Sequence, residues 1–553
     1  MLSRPSLLTR RQVVVAGGTL AASTAFVPSA WGRLTAREAQ VGPGLFLDGV
    51  ASGEPAPDAV TFWGRLTTGQ ARSGARLVVC EDEGLTRTVA TAVVPTSRAV
   101  DHCLKVRVTG LQPSRFYYYA WQSGDGVSEV GRTKTAPPAD SDQAIAIAYS
   151  SCQRYPAGFF NGHTEAATRD LDLYAFLGDY TYEYGPAGTD ADDSPVKPRT
   201  DPGASTDLAS YRSKLKLYRS DPGLRELHRL HPIVHIWDDH EVENDYSDND
   251  PRPSDLQRTA GYRASFEWIP RMVFPEDRFR IYKTIKLGTM AELFLLDQRQ
   301  YRQGDGDGAA RKTILGRTQL DWFKSQLRSS KARWKLVGNE VQFAPLGPNL
   351  NADQWDGYQD DRAEVLRTIA EVNAADTRFG GNVVFLTGDI HTYEANQVLS
   401  GATTGTPIAT EFVGGSIGSA GASEAAGVAI RAIAPWIKQF DGEDHGYATI
   451  DLTAQDARVD FRVSDITKPG APSRSLNGQP YVQRVGVNDF EMAGGGLPVD
   501  LPLPKASDLP AETSANAATP ELAARRRTFE KEVARQVRRA ERSAAATRSR
   551  RSS

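Results

Sequence analysis

Between Trp237 and Asp245 the chain places five carboxylates, one imidazole and one amide in nine residues: Trp237-Asp238-Asp239-His240-Glu241-Val242-Glu243-Asn244-Asp245. Hard cations take several oxygen donors, and an Asn carbonyl among carboxylates adds a donor without adding charge. A charged solvent loop is the ordinary reading of so polar a stretch, but such loops do not usually follow an apolar run such as Ile233-Val234-His235-Ile236. Two other segments end an apolar run in Gly-Asp. Phe176-Leu177-Gly178-Asp179-Tyr180-Thr181-Tyr182 adds a phenol three residues after its carboxylate, and Leu386-Thr387-Gly388-Asp389-Ile390-His391 adds an imidazole two residues after. Alternation along a strand end would aim Asp389 and His391 the same way. A fourth segment, Ala148-Tyr149-Ser150-Ser151-Cys152-Gln153, closes on a thiol. A buried Cys is ordinarily a small hydrophobe. Beside a metal, however, a thiol is deprotonated and becomes a strong ligand, and a tyrosinate acts likewise on an ion such as Fe(III). Cys152, Asp179, Tyr182 and His391 together suit iron, and the oxygen-rich remainder suits calcium.

The elements that must hold these groups are visible as apolar runs of strand length: Ala144 to Ala148, Leu173 to Leu177, Ile233 to Trp237, Met290 to Leu296, Trp334 to Gly338 and Val383 to Leu386. Helix-like segments separate them, and their C-terminal ends carry Cys152, Asp179, Asp238, Asp297, Asn339 and Asp389. Ligands of open α/β sheets bind at that end of the strands. An α/β domain is therefore expected over 143–503, closed by a strand pair near Gly446–Leu452 and Arg458–Val463. Ahead of it, Leu45 to Thr135 alternates β-rich runs with Gly/Pro turns, as in Ala59–Trp63, Ala75–Val79, Leu104–Val108 and Arg115–Ala120. That spacing predicts a small β-sandwich over 45–136, joined to the larger domain through Pro137-Pro138. Cys80 and Cys103 fall at the edges of two of its runs and are candidates for a disulfide, which geometry and not sequence decides.

The chain has 553 residues, 40% of them hydrophobic and 24% charged, which excludes a collagenous, disordered or polytopic membrane protein, while three Cys exclude a disulfide scaffold. Residues 1–32 contain Arg4, Arg10 and Arg11 and no acid, with an apolar stretch to about Val27 that is shorter than the ~20 residues a span needs. This reads as a twin-arginine signal, so the twin-arginine export machinery is an expected partner. The mature chain is then expected without a transmembrane span, secreted or in the periplasm or cell envelope. From Glu521 to the end, eleven Lys/Arg stand against four Asp/Glu, an excess of seven. With three more positive charges in the signal and −3 for the whole chain, the body between them carries −13, a poor nucleic-acid binder. The Arg/Ala-rich tail over 504–553 is expected to be disordered or an exposed helix, a solvated appendage by default and, as the sharper alternative, a binder of an anionic envelope polymer or lipid head group.

The residues resemble the PhoD-like alkaline phosphatases of the calcineurin-like metallophosphatase superfamily. The resemblance is carried by Ser151-Cys152-Gln153, Gly178 to Tyr182, Trp237 to Asn244, Leu296-Asp297-Gln298-Arg299-Gln300-Tyr301-Arg302, Trp355-Asp356-Gly357-Tyr358 and Gly388 to His391, with Gly49 to Trp63 resembling the start of that family's N-terminal β-domain. It implies an α/β fold, a metallophosphatase four-layer α-β-β-α sandwich preceded by a small all-β sandwich of immunoglobulin or fibronectin type. It also implies an Fe(III) and calcium site that hydrolyses small or polymeric phosphate esters, monoesters or diesters, at alkaline pH, by attack of a metal-bound hydroxide on phosphorus. By the same resemblance Cys152, Asp179, Tyr182 and His391 look like iron ligands, with Asp179 bridging. Asn244 and Asp389 look like calcium ligands to which Asp238 and Asp239 add, and Arg299 resembles a phosphate-binding arginine that orients the ester with Asn244. His240 is implied as leaving-group acid or phosphate donor. Asp245 stands where a second Asn is expected, and Glu340 where Gln is usual. The alternatives are a purple-acid-phosphatase-like or phospholipase D-like phosphodiesterase and, from another class, a non-catalytic envelope-binding protein. The first should show an early Asp-x-His and later Gly-Asn-His-Glu and Gly-His-x-His motifs, which are not found.

Overall fold

The computed structural model describes residues 45–493, apart from 125, 186–198, 202, 249–250, 305–311, 347–350 and 402. The expected twin-arginine signal (1–32) and basic tail (504–553) lie outside the described residues.

The first eight strands are β1 (Val50–Ala56), β2 (Ala59–Arg65), β3 (Arg72–Cys80), β4 (Thr88–Ser97), β5 (Cys103–Thr109), β6 (Phe116–Ser123), β7 (Gly126–Val127) and β8 (Gly131–Lys134). β3, β4, β6, β7 and β8 form one sheet, onto which β1, β2 and β5 pack. Val60, Phe62 and Leu104 from one layer meet Leu77, Val79 and Trp121 from the other, the interdigitation of a β-sandwich. Cys80 and Cys103 sit on opposite sheets, the first in register with Thr88 and Tyr118, the second with Arg65. Both thiols are buried and free, so the candidate disulfide does not form.

The larger unit consists of β9 (Ile145–Ser150), β10 (Leu173–Leu177), β11 (Pro232–Ile236), β12 (Lys283–Leu287), β13 (Ala291–Leu295), β14 (Trp334–Asn339), β15 (Val383–Thr387), β16 (Tyr393–Leu399), β17 (Pro407–Gly414), β18 (Ile437–Asp441), β19 (His445–Leu452), β20 (Asp456–Ser464), β21 (Arg474–Ser475), β22 (Tyr481–Arg484) and β23 (Glu491–Met492). One sheet runs β23-β22-β20-β19-β9-β10-β11 and the other β12-β13-β14-β15-β17-β16-β18. Their facing sides make the largest core, for example Ile147, Ala175 and Val234 against Leu293, Leu336 and Val384. Alternation turns the remaining residues outward: Tyr174, Phe176 and Ile233 onto helices 208–219, 222–230 and 255–268, and Phe294, Val337 and Phe385 onto helices 316–329 and 359–375. Two sheets with helices on both outer faces are the expected four layers. Side-chain caps start helices on the first face: Asp207 accepts from Ser210 N and Asp221 from Leu224 N, with Pro222 in the first turn.

The sandwich is not a separate bead. β1 pairs in parallel with β11, Ser52 opposite Pro232 and Gly53 opposite Ile233, so β1, β2 and β5 extend the first large sheet. Glycine is required at 53, where a Cβ would lie 2.5 Å from the Ile233 carbonyl oxygen. The Trp63 indole donates to the Glu267 carbonyl (2.9 Å), and its rings pack on Trp268 and under the Arg219 guanidinium. The limits 45–136 and 143–503 read from the sequence therefore divide the chain but not the sheet.

Candidate metal centre

β9, β10 and β11 run parallel in one sheet, and β13, β14 and β15 run parallel in the other. The segments that leave their C-terminal ends meet. Glycines let them do so: a Cβ on Gly178, whose φ is 103°, would sit 2.6 Å from the Asp238 Cβ, and one on Gly388 would sit 2.7 Å from the Ser151 Cβ. Five polar residues of these segments, Cys152, Asp179, Asp245, Asp389 and His391, hold positive φ between 55° and 65°. Non-glycine residues in that region carry strain that persists only where surrounding contacts impose it, and such residues concentrate at functional sites.

One side of the centre gathers Cys152, Asp179 and His391, whose donor atoms all lie within 4.8 Å of one another. The Tyr182 hydroxyl joins them, donating to Asp179 Oδ2 (2.8 Å) and lying 3.3 Å from His391 Nε2. His391 Nδ1 lies 2.6 Å from the Ala420 carbonyl oxygen, which makes Nδ1 the protonated nitrogen and leaves the Nε2 lone pair facing the centre. Burial and the Asp179 charge push the Cys152 thiol and the Tyr182 phenol well above their ordinary pKa. Burial pushes His391 down to about 4. These groups are neutral unless positive charge is supplied next to them.

The other side is made of carboxylates. Asp238, Asp239 and Asp389 form a second group and Asp179, Asp239 and His240 a third, so Asp179 and Asp239 stand between the two sides. Arg299 is fully buried among the acids. Its Nε bonds to Asp238, its two terminal nitrogens grip Asp353 at 2.8 and 2.9 Å, and one of them reaches Asp389 at 3.4 Å. Burial raises Asp238 to about 6 against the pull of Arg299, whereas Arg299 and His240 overcome burial and hold Asp239 below the usual carboxylate range. The fork that the resemblance assigns to phosphate is thus engaged bidentately by Asp353, and a phosphate role for Arg299 requires that pair to open.

The sequence-derived residues do not all fall where expected. Asp389 and His391 enter different donor groups of the one centre: β15 stops at Thr387, so strand alternation does not govern them, and both residues have left-handed φ. Asn244 lies at the exposed rim, accepting from the Tyr184 hydroxyl (2.9 Å) and donating to Asp245 (2.8 Å). Asp297 caps its own turn, accepting from Arg299 N and Gln300 N, and Asn339 braces Thr387 and Trp355. Glu340 is fully buried and pushed well above its usual pKa by burial and the Asp297 and Asp238 charges, so it is a neutral acid close in shape to the Gln that the resemblance leads one to expect there.

Several partners were given no role from the sequence. Glu183 holds His240 Nδ1 at 2.8 Å and accepts from Asn244 N; only its place next to Tyr182 hinted at it. Burial opposes a charge on His240, but Asp239, Asp179 and Glu183 outweigh it and raise its pKa well above normal. Glu241 receives the amides of Asp238 and Tyr180 and ties two site loops together. Ser419, from a Gly/Ser-rich loop without motif character, lies 2.7 Å from the Tyr182 oxygen. Asp353 precedes the Trp355 motif by two residues.

The donor set suits cations on its own chemistry. Asp179 Oδ1 and Asp238 Oδ2 are buried without a hydrogen-bond partner, a cost of about 1–3 kcal/mol or more each that a bound cation would remove. A two-sheet α/β sandwich with acids, imidazoles, a thiol and a phenol converging at strand ends defines the metallophosphatase class. The family model described as "PhoD-like phosphatase" matches residues 147–461, and that of its N-terminal domain matches 32–137. The chain belongs to the PhoD-like phosphatase family and is a phosphoric ester hydrolase. Alkaline phosphatase D of Bacillus subtilis (strain 168) is 33% identical over 467 residues, 77% of this chain and 79% of that protein. A solved structure of PhoD superposes with a TM-score of 0.75 at 29% identity, covering 82% of this chain and 94% of that one. A purple acid phosphatase from yellow lupin seeds shares the fold at a TM-score of 0.52 and 13% identity, over 75% of this chain and 71% of its own. Hydrolase membership removes the non-catalytic alternative.

Proposed function

We propose that the protein is an exported phosphatase or phosphodiesterase of alkaline optimum that works with Fe(III) and Ca²⁺. Cys152, Asp179, Tyr182 and His391 would hold the iron, and Asp238, Asp239 and Asp389, with Asn244, the calcium. The observation that carries this reading is the division of the donors into a thiol–phenol–imidazole side and a carboxylate side with Asp179 and Asp239 between them. Such cations supply Lewis acidity at the phosphoryl oxygens and a nucleophile at neutral to alkaline pH.

The chain's own residues orient and move protons. His240, fixed by Glu183 through Nδ1, presents its other nitrogen as the proton donor to the leaving oxygen. Arg299 orients the phosphoryl group once its contact with Asp353 opens, and Asn244 at the rim adds an amide. Arg10-Arg11 ahead of an apolar run supports export through the twin-arginine route, and among the described residues no helix is long and apolar enough to cross a membrane.

Elemental analysis with a visible spectrum tests the metal assignment. The wild type is expected to contain iron and calcium and to show a phenolate-to-iron charge-transfer band. Tyr182→Phe is expected to abolish the band, and a band that persists refutes Tyr182 as ligand. Hydrolysis of nitrophenyl phosphate monoesters and diesters that is lost with calcium chelation at alkaline pH separates this reading from a purple-acid-phosphatase-like one.

A further inference from the structure

On the flank where β1 turns into β2 and edge strand β12 passes, a cleft of about 530 Å³ opens, within the range of small-ligand sites. Its floor is apolar, with Phe274, Ile285 and Trp322, and Arg107, Arg280, Lys283 and Lys286 stand around it. Glu54, the one carboxylate lining it among the described residues, is committed to Lys283 and to the Met272 amide. Arg107 is also engaged, donating to the Glu54 carbonyl (2.9 Å) and the Thr61 hydroxyl (3.2 Å), whereas Arg280 and Lys286 are held less tightly. Arg280 meets Glu276 at 3.5 Å, and Lys286 meets Glu292 at 3.3 Å with its own side chain 70% exposed. The Arg280 Nε and the Thr284 hydroxyl are buried there without a hydrogen-bond partner. Stacking fixes the guanidinium, 3.9 Å over Phe274 and 4.9 Å over Tyr282.

A cationic cleft with an apolar floor on a body that carries a net −13 is not explained by solubility, and its unpaired N–H and O–H groups call for an acceptor-rich anion. The cleft is separate from the metal centre but borders its scaffold. Lys283 pairs with Leu295, two residues before Asp297, and Tyr301, from the segment that carries Arg299, donates to Asp277 (3.1 Å) and packs on Tyr282.

We propose that this cleft is a second binding site, for an organic phosphate or phosphonate whose anionic head meets Arg280, Lys286 and Thr284 while its apolar group lies on Phe274, Ile285 and Trp322. The proposal does not depend on which metals the catalytic centre holds. Calorimetric titration of the metal-loaded full chain with phenylphosphonate, hexylphosphonate and methylphosphonate tests it, since a C–P bond resists the enzyme's hydrolysis. Two binding events are expected for the phenyl or hexyl compound, the stronger of the two telling an aromatic from an acyl ligand, and weaker second-site binding for methylphosphonate. Arg280→Gln with Lys286→Gln should weaken one event about tenfold or more, as loss of charge-assisted contacts does, and leave nitrophenyl phosphate turnover unchanged. Lys286→Gln alone, at an exposed side chain that misfolding does not threaten, should weaken it about threefold. A single event in the wild type, or variants that titrate as the wild type does, overturns the proposal. Nitrophenyl phosphate turnover on the same samples reports the catalytic centre independently, so its failure is told apart from failure of the cleft.

Discussion

The two sides of the candidate metal centre manage charge in opposite ways. Cys152, Tyr182 and His391 are neutral when buried, because a low-dielectric surrounding penalises thiolate, phenolate and imidazolium alike. Asp238, Asp239, Asp353 and Asp389 are instead crowded around the Arg299 guanidinium, with Arg302 joining at Asp353. The first side releases its protons only to a strongly polarising ion. The second carries negative charge that any hard cation would share with Arg299. Two electrostatic environments thus lie a few ångströms apart, one of soft and one of hard donors.

That contrast can be broken from either side. The largest effect is expected at Arg299: Arg299→Met leaves Asp238 buried without its partner and Asp353 with Arg302 alone, and should cost about 3–5 kcal/mol in urea unfolding. A loss below about 1 kcal/mol would mean that the acids are neutralised otherwise. Cys152→Ser should remove iron with more than about a hundredfold loss of kcat/KM, exceeding what outer partners of metal ligands usually contribute, while the N-terminal sandwich stays folded by circular dichroism. Iron retained at wild-type stoichiometry would place the thiol outside the ligand set. Glu183→Gln should lower turnover about tenfold on alkyl phosphates, whose leaving oxygen needs a proton, and much less on nitrophenyl phosphate. Equal losses on both substrates would make the Glu183–His240 pair a structural brace. The smallest effect belongs to the remaining thiols: because Cys80 and Cys103 are free, a reductant should leave the thermal midpoint of the metal-free protein unchanged, and a clear drop would reveal a disulfide.

Much of the centre was legible because donors follow apolar runs of strand length, and β9, β10, β11, β13, β14 and β15 end within about two residues of where those runs end. Residues without such a signature were not. Glu183 and Ser419 act through the neighbours they touch, and nothing in their spacing distinguishes them from loop residues. Asp297 and Asn339 show the converse: they stand at strand ends like the candidate donors, yet their side chains are used up on turn amides and on Thr387 and Trp355. In the N-terminal region individual strands were readable from alternation, whereas the pairing of β1 with β11 was not, since it joins residues about 180 positions apart through backbone groups that every residue carries.

By itself the sequence determined the class of chemistry, the order of the donor-bearing loops and the family to which the chain belongs, because residue type and strand-length spacing encode donors and where they emerge. Only the tertiary structure decided that Arg299 faces Asp353, that Asp389 and His391 serve different groups, that Cys80 and Cys103 lie on separate sheets, and that the sandwich shares a sheet with the catalytic unit. The physical reason is the same in each case. A side chain's direction at the end of a strand depends on one backbone dihedral, here positive at five residues of the centre, and its partners depend on packing between distant segments, neither of which local spacing records.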